Sequence, residues 1–308
     1  MEIIHDINEV KPSRRTVALG NFDGLHTGHR AVIKGSFKDG CRSCVLRLVP
    51  HPQMYFSSEP LELLMTCSAF EEALEKMGVD ELIYLNFSEI HSMTPENFVT
   101  GLLIDRLGTE RISCGYNYTF GRNALGNTEM LRQLCKKRGV ELNVAECIQY
   151  EGKPISSSRI RGCIASGNIT AATEMLGHYL AFKFEVSDGD HRGHLLGFPT
   201  INQEFPEEFI KPRYGVYASA TFVNGEWKPS VTNFGIRPTV KIPVPRAETY
   251  ILDYSGNLYG QRVKVVLLDY MRGEVRFSNL TRLSKQIASD ALMARKKFSD
   301  RFNLMLVQ

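Results

Sequence analysis

The chain has 308 residues, of which 43% are hydrophobic and 23% charged, with a formal net charge of +3. The length favours two domains, and the composition excludes collagen-like, disordered and coiled-coil proteins. The charge is too small to indicate a nucleic-acid partner, and no run of about 18 apolar residues predicts a membrane helix. The first ten residues lack the apolar segment of a signal peptide, so we expect a cytoplasmic protein whose seven cysteines are reduced thiols.

The first half of the chain alternates short apolar runs with segments of helical spacing. The predicted strands are residues 16–20, 44–49, 81–85, 111–114 and 140–147. The predicted helices pass through residues 31–33 and cover residues 69–77, 94–107 and 128–138. Thr94-Pro95 is a start signal for the third helix, and Gly108 is its stop signal. This alternation predicts a mostly parallel, Rossmann-like sheet with helices on both faces.

After Gly177 the pattern changes to short β-rich runs separated by turn residues. The predicted strands are residues 182–186, 216–222, 231–234, 248–252 and 262–268. Asn224-Gly225 and Ser255-Gly256 are pairs typical of hairpins, so we expect a small antiparallel barrel or sandwich. One amphipathic helix follows, and its Lys and Arg residues are expected to face solvent. The apolar stripe of that helix contains Leu283, Ile287, Ala291, Ala294 and Phe298. We place the domain boundary at residue 180, which gives domains 1–180 and 181–308.

The strongest motif in the first half is the segment Gly20-Asn-Phe-Asp-Gly-Leu-His-Thr-Gly-His29, which follows a predicted strand and opens a helix. Free backbone amides and the helix dipole favour anions at this position, and glycines let the backbone approach a phosphate. His26 and His29 are three residues apart, so both imidazoles can face one phosphate and stabilise charge on it. The Gly-Lys-Ser/Thr ending of a Walker P-loop is absent. A tight turn with two capping histidines is the structural alternative.

This segment resembles the signature of the nucleotidyltransferase superfamily, in the variant found in prokaryotic FAD synthetases. Ile155-Ser-Ser-Ser-Arg-Ile-Arg161 resembles the ISSTxIR segment of those enzymes, and residues 50–52 and 117–121 resemble two segments that line their nucleotide and flavin sites. The resemblance implies catalysis by His26 and His29. It implies nucleotide contacts from Gly20, Phe22, Asp23, Gly24, Gly28, Ser157, Ser158 and Arg161. It implies flavin contacts from His51, Asn117 and Phe120.

The second half has its own motif, Gly193-His-Leu-Leu-Gly-Phe-Pro-Thr-Ile-Asn202. Thr200 and Asn202 are two residues apart, which puts two oxygen-bearing side chains on one strand face. Such hard ligands suit Mg²⁺ bound to nucleotide phosphates. The motif resembles the GRxLGFPTAN segment of riboflavin kinases, and the resemblance continues through residues 214–217, 233–239, 247–250 and 258–260. It implies nucleotide contacts from Gly197 and Pro199, Mg²⁺ at Thr200 and Asn202, a flavin contact from Arg272, and Glu248 as the general base.

Both motifs together resemble the prokaryotic bifunctional riboflavin kinase/FAD synthetase family. The resemblance implies that residues 1–180 transfer AMP from ATP to FMN. Residues 181–308, a small antiparallel β-barrel with a C-terminal helix, would phosphorylate riboflavin. The implied cofactors are ATP and Mg²⁺, the partners are small molecules, and the chain is expected to be a monomer or weak homo-oligomer. Departures from the family pattern occur at Arg47, Leu48, Ser158, Phe184, His194, Ile201, Val240 and Tyr250.

Two alternatives stay open on the sequence. One is a transferase of the same superfamily that acts on another phosphate, such as a cytidylyl- or pantetheine-phosphate adenylyltransferase. The GFPTxN motif argues against it, because those enzymes lack the second domain. The other alternative is a degenerate paralogue that binds flavin or nucleotide and acts as a regulator or accessory protein.

Overall fold

A computed structural model describes residues 1–57, 60–187, 197–236, 244–303 and 306–307. It forms two compact units. The first consists of residues 1–61 and 67–156, and the second of residues 62–66 and 157–308. The domain boundary at residue 180 stays a prediction.

The first unit is built on a six-stranded sheet. Its strands are β1 (Glu2–Ile4), β2 (Arg15–Leu19), β3 (Arg42–Val49), β4 (Glu81–Asn86), β5 (Thr109–Gly115) and β6 (Glu141–Ala145). All pairs are parallel, and the order across the sheet is β1-β4-β3-β2-β5-β6. The predicted parallel, Rossmann-like sheet is therefore confirmed. β1 is a short edge strand that the sequence pattern did not indicate.

Helices and one small hairpin complete the first unit. The helices are α1 (Thr27–Ser36), α2 (Pro52–Phe56), α3 (Cys67–Lys76), α4 (Phe87–Ile90) and α5 (Thr128–Arg138), and the hairpin is β7 (Gln149–Tyr150) with β8 (Lys153–Pro154). Residues Asn97–Arg106 form a π-helix where an α-helix was expected. Thr94 caps its start, because the Thr94 hydroxyl accepts a hydrogen bond from the Asn97 amide at 3.2 Å. Over ten residues, apolar spacing does not separate these two helix types.

A buried ion pair fixes the amino end of the sheet. Arg15 begins β2 and Glu81 begins β4, and each side chain is 1% exposed. Arg15 donates to Glu81 through Nε at 2.5 Å and through Nη2 at 3.1 Å. Arg15 Nη1 also donates to the Leu107 carbonyl at 3.0 Å, and Arg42 Nε lies 2.9 Å from Glu81 Oε1. The pair therefore links two strands across β3.

Replacing Glu81 by Gln is expected to destabilise the first unit by about 3 kcal/mol or more, because it leaves the Arg15 guanidinium buried without a counter-charge. For a unit of this size, the calorimetric unfolding midpoint should fall by about 6–12 °C. Glu129→Gln removes an exposed carboxylate that pairs with Arg132 on α5, and it should cost less than about 0.5 kcal/mol. Equal midpoints for the two variants would contradict a stabilising role for the buried pair.

The second unit contains a closed antiparallel barrel. Its strands are β9 (Ala181–Ser187), β10 (Thr200–Glu204), β11 (Gly215–Val223), β12 (Glu226–Ile236), β13 (Pro245–Ile251) and β14 (Arg262–Arg272). The order around the barrel is β10-β13-β12-β11-β14-β9, and β9 pairs with β10 to close it. Its helices are α6 (Ser157–Ser166), α7 (Ile169–Leu176) and α8 (Leu280–Arg301). The predicted antiparallel barrel with a C-terminal helix is confirmed.

The two predicted hairpin turns have different outcomes. Asn224 and Gly225 join β11 to β12 with φ values of 52° and 82°, as a type I′ turn requires. The prediction for Ser255-Gly256 is wrong, because β13 and β14 are not neighbours in the barrel. A turn sequence indicates that the chain reverses, but it does not indicate which strand is paired next.

A chain of hydroxyl groups crosses the barrel interior. Ser219 Oγ lies 2.8 Å from both Ser230 Oγ and Thr232 Oγ1. Thr221 Oγ1 is hydrogen-bonded to Ser230 Oγ at 2.8 Å, and Thr232 Oγ1 is hydrogen-bonded to Thr249 Oγ1 at 2.9 Å. All five side chains are buried. Because side chains alternate along a strand, the residues next to Thr232 and Thr249 lie on the outer face of the barrel.

Helix α8 packs against that outer face. Ala291, Ala294 and Phe298 contact a cluster of apolar strand residues, as the amphipathic spacing predicts. The expectation that the basic residues of this helix face solvent is wrong for Lys297, whose Nζ lies 2.6 Å from Asp269 Oδ2 on β14. On that side, an ion pair joins α8 to β14. Across the described ranges, no helix combines the length and the apolar character that crossing a membrane would need.

Candidate functional site

The loop between β2 and α1 carries the glycine and histidine motif at the carboxyl edge of the parallel sheet, where open α/β sheets bind their ligands. Phe22 and Leu25 have positive φ values of 53° and 42°, and Gly24 has a φ of 82°. Non-glycine residues in this region are strained, and such strain is concentrated at functional sites. Asp23 and His26 are buried in the loop.

His26 and His29 lie against each other at the start of α1. His26 caps the helix, because its Nδ1 accepts a hydrogen bond from the backbone amide of His29 at 3.2 Å. Neutral His26 therefore carries its proton on Nε2, which can donate to a ligand. The two rings are stacked with centroids 3.5 Å apart. A Cβ atom at Gly28 would lie 3.2 Å from the His26 ring, so the glycine makes room for it.

The environment of His29 keeps its imidazole neutral. Burial, followed by the neighbouring His26, lowers the pKa of His29 well below 6.5. The ring of Phe22 packs edge-on against His29 with centroids 5.4 Å apart. Among the described residues, no hydrogen-bond partner reaches the buried Nδ1 of His29. The motif thus brings two imidazoles together at a helix N-terminus, as its spacing predicts.

The residues predicted to bind flavin lie in three different settings. His51 caps α2, since its Nδ1 accepts from the Gln53 amide at 3.2 Å. Asn117 is exposed in the loop after β5. Phe120 is only 6% exposed, lies 5.8 Å from the ring of Phe98, and belongs to the apolar core of the unit. The flavin contacts of these residues stay predictions.

An aromatic cluster that sequence reasoning missed lies at the same edge of the sheet. It consists of Tyr55 and Phe56 on α2, and Phe87 and His91 at α4. Tyr55 and Phe56 pack edge-on against Phe87, with centroids 5.3 and 5.6 Å away. Phe56 is 73% exposed, which is unusual for a phenylalanine. The signal was the pair Tyr55-Phe56 just after the Pro-His-Pro segment.

The segment 155–161 begins helix α6. Ser157 and Ser158 occupy its first turn, and the division between the two compact units falls just before Ser157. Arg161 Nε donates to the carbonyl oxygen of Glu62 at 2.7 Å. The hydroxyl groups therefore stand at a helix N-terminus, as the sequence indicates, and the phosphate contacts of all three residues stay predictions.

Three neighbouring barrel strands place polar side chains in one row on the outer face. Asn202 on β10 lies opposite Glu248 on β13, and Glu248 lies opposite Asn233 on β12. Residues directly opposite in antiparallel strands share a face, with Cβ atoms about 5 Å apart. Thr200 lies opposite Tyr250 on the same face. Sequence reasoning selected every member of this row except Asn233, which was quoted only as part of a motif.

Two cavities meet at Thr200. The smaller has a volume of about 110 Å³ and is lined by residues that include Pro199, Thr200, Tyr254 and Tyr259. The larger has a volume of about 400 Å³ and lies between the strand row and α8. Glu248, Asn233 and Arg272 supply polar groups to the larger cavity, and its apolar walls include Phe198, Tyr250, Phe277, Leu283 and Ile287. Its volume is in the range of small-molecule sites, about 300–1,000 Å³.

Arg272 is held in place by helix α8. Its Nε and Nη2 donate to the two carboxylate oxygens of Asp290 at 3.1 and 2.6 Å, and Gln286 donates to Asp290 at 2.9 Å. Asp290 is buried, and Arg272 lines the larger cavity. Sequence reasoning missed Asp290, although an acid inside the apolar stripe of the helix was the available signal. The motif residues 193–196 and 237–239, and the departures His194 and Val240, lie outside the described residues.

Comparisons with known proteins match both halves of the chain. A family model described as FAD synthetase matches residues 8–159, and one described as riboflavin kinase matches residues 176–298. The bifunctional riboflavin kinase/FMN adenylyltransferase of Escherichia coli K12 is 33% identical over 96% of each chain, and that of Bacillus subtilis is 31% identical with the same coverage. The chain belongs to the bifunctional riboflavin kinase/FMN adenylyltransferase family.

A solved structure from Streptococcus pneumoniae, described as a macrolide-efflux protein, has the same fold. It matches 96% of this chain and 99% of its own length, with a TM-score of 0.88 and 27% identity. Within this family assignment, the histidine pair and the aromatic cluster fall in the FAD synthetase region, and the strand row falls in the riboflavin kinase region. The alternative of a transferase without a kinase domain is wrong, because both family models match this chain.

Proposed function

We propose that this chain catalyses both reactions named by its family. Riboflavin and ATP would give FMN and ADP in the barrel unit, and FMN and a second ATP would give FAD and pyrophosphate at the β2–α1 loop. The single observation that carries the kinase proposal is the position of Glu248 in the strand row. Glu248 lines the larger cavity, and Thr200 borders both cavities. A donor and an acceptor in the two cavities would therefore meet beside an acid.

In the kinase reaction, the smaller cavity holds the nucleotide and the larger one holds riboflavin. The oxygen of the flavin 5′-hydroxyl attacks the γ-phosphorus of ATP, and the bond from that phosphorus to ADP breaks. Glu248 accepts the hydroxyl proton as general base. Arg272, held by Asp290, and the aromatic wall of the cavity orient the flavin ring. Gly197 and Pro199 shape the backbone next to the nucleotide.

Thr200, which borders both cavities, and Asn202, its neighbour on the same strand face, fit Mg²⁺. Thr200 offers a hydroxyl oxygen and Asn202 an amide oxygen from the same face of β10. In the parts of the chain that the structure describes, no group of three His, Cys, Asp or Glu side chains could hold a metal. Mg²⁺ keeps several waters and takes substrate phosphate oxygens, so two neutral protein ligands suit it. When bound, Mg²⁺ neutralises negative charge on the phosphates.

In the transferase reaction, an oxygen of the FMN phosphate attacks the α-phosphorus of ATP, and pyrophosphate leaves. His26 Nε2, His29 and the amides at the start of α1 stabilise the charge on the α-phosphate. No covalent intermediate is required, because positioning and electrostatics supply the catalysis. The exposed ring of Phe56 and its aromatic neighbours offer a stacking surface for the flavin, next to His51.

Sequence resemblance carries the remaining assignments. By their place in the family segments, Ser157, Ser158 and Arg161 hold the β- and γ-phosphates of ATP. All seven cysteines are free thiols, which agrees with the reducing cytoplasm in which we propose that the chain works. Both reactions use thiol-free chemistry, so the buried cysteines Cys44, Cys114 and Cys135 serve in packing.

The proposed function is tested by following flavin products. Riboflavin with ATP and Mg²⁺ should give FMN first and then FAD, resolved by chromatography. A parallel reaction that starts from FMN should give FAD directly. Absence of FMN would refute the kinase assignment, and absence of FAD from supplied FMN would refute the transferase assignment. Flavin binding without any product would instead support the degenerate paralogue.

A further inference from the structure

Arg47 is a buried cation that the reactions above do not use. It lies near the carboxyl end of β3 and is 7% exposed. Its guanidinium carbon lies 4.2 Å from the centre of the Phe70 ring, on helix α3. The family pattern has a small polar residue near this position, so the guanidinium is a feature of this chain.

The guanidinium of Arg47 is incompletely satisfied. Its Nη1 is buried, and no hydrogen-bond partner for it exists among the described residues. An aromatic face attracts the charge but accepts no strong hydrogen bond from this nitrogen. Glu71, one of three acids on the covering helix, already accepts a hydrogen bond from the Tyr84 hydroxyl at 2.8 Å. Burying a charged donor without an acceptor is unfavourable, so the free protein is destabilised at this point.

The sheet register places the backbone of Arg47 beside the histidine loop. In the sheet, Arg47 lies opposite Tyr84, and Leu46 lies opposite Leu19. On β3, Leu46 is followed by Arg47. Leu19 is the last residue of β2 and is followed by Gly20, which begins the loop that leads to His29. This loop and the first turn of α1 hold two further buried atoms without partners within the described ranges, Asn21 Oδ1 and His29 Nδ1.

We propose that Arg47 binds a phosphate oxygen of a substrate in the transferase site. An anionic oxygen would satisfy Nη1 and neutralise the guanidinium, and Arg is the side chain best suited to a phosphate. FMN and ATP both carry such oxygens, so the ligand is defined as the phosphate of one of these two substrates. The proposal rests on the proposed transferase function, and it adds to that site a residue outside the family motifs.

The test replaces Arg47 by Met, which keeps an unbranched apolar stem and removes the guanidinium. In FAD formation we expect KM for FMN or for ATP to rise about 10- to 100-fold. The unfolding midpoint of the first unit should stay the same or rise, because an unsatisfied buried charge is gone. Riboflavin phosphorylation should be unchanged. A rise confined to FMN assigns the flavin phosphate, and a rise confined to ATP assigns a nucleotide phosphate.

Arg14→Met is the matched control, since it removes an exposed arginine just before β2 that pairs with Glu110. It should leave both KM values unchanged. If Arg47→Met alters neither KM, or lowers the midpoint and impairs both substrates equally, Arg47 is a packing residue and the proposal fails. Should Arg47→Met not fold, Arg47→Gln removes the charge with a polar side chain, and unchanged KM values there would overturn the proposal too. A wild-type protein that forms no FAD would instead refute the proposed function.

Discussion

Glu248→Gln is expected to stop FMN formation, with kcat about 10²- to 10⁴-fold lower. The amide has the shape of the carboxylate but cannot take the proton of the flavin hydroxyl. KM for riboflavin should change little, because the cavity keeps its walls. The measurement is the rate of FMN formation from riboflavin and ATP. FAD formation from supplied FMN should be unaffected, since it depends on the other unit.

The larger cavity offers a second acid for comparison. Glu274 lines it as well, whereas the third acid there, Asp290, is bonded to Arg272. Glu274→Gln should therefore keep most of kcat, as should Asp253→Asn, an exposed acid just after β13 that pairs with Arg295. If Glu248→Gln retains more than about a tenth of kcat, or if Glu274→Gln loses it instead, the base is not Glu248.

His26→Asn is expected to lower the rate of FAD formation by about 10²- to 10³-fold. This substitution separates the two roles of His26. Asn is a good helix cap and can still accept the amide hydrogen of His29, so α1 should keep its start. It has no imidazole, so the donor at Nε2 is lost. The measurement is FAD formation from supplied FMN, with the unfolding midpoint of the first unit as the check on folding.

If the histidine motif is only a tight turn with capping histidines, the opposite results are expected for the variants of His26. If His26 only caps the helix, His26→Asn should form FAD at close to the wild-type rate, and His26→Ala should lose stability instead. The second variant is the matched control, because Ala removes cap and imidazole together and costs about 1 kcal/mol as a cap. Riboflavin phosphorylation should be normal in both variants.

The order of apolar runs and helical segments predicted the parallel sheet. In the second unit the pattern left a barrel or a sandwich open, and the family resemblance selected the barrel. Local signals also worked where one residue decides the geometry, as at Thr94 and at Asn224-Gly225. They failed where the outcome depends on partners distant in the chain. Ser255-Gly256 lies between strands that are not neighbours, and a hairpin signal carries no information about pairing over that distance.

The candidate sites were likewise predictable only where local spacing along the chain decides the geometry. The spacing of His26 and His29 implies that their rings meet, because three residues make almost one helical turn. The spacing of Thr200 and Asn202 likewise implies a shared face. Asn233 and Asp290 could not be selected in this way, since their positions depend on strand register and on the packing of α8. Burial of an unsatisfied Arg47 nitrogen is a property of three-dimensional packing alone.

The hydroxyl chain inside the barrel means that the inner face of each strand holds its alignment, which leaves the outer face free for other contacts. Hydrogen bonds have preferred lengths and angles, so the bond between Thr232 and Thr249 holds β12 and β13 in one alignment. A slip of one residue would turn Glu248 inward, and it would also break that bond. The strand alignment is thus fixed by the interior side chains, independently of the side chains on the outer face. The outer face can therefore vary in sequence, as Tyr250 in place of the family histidine illustrates, while the alignment of the strands stays the same.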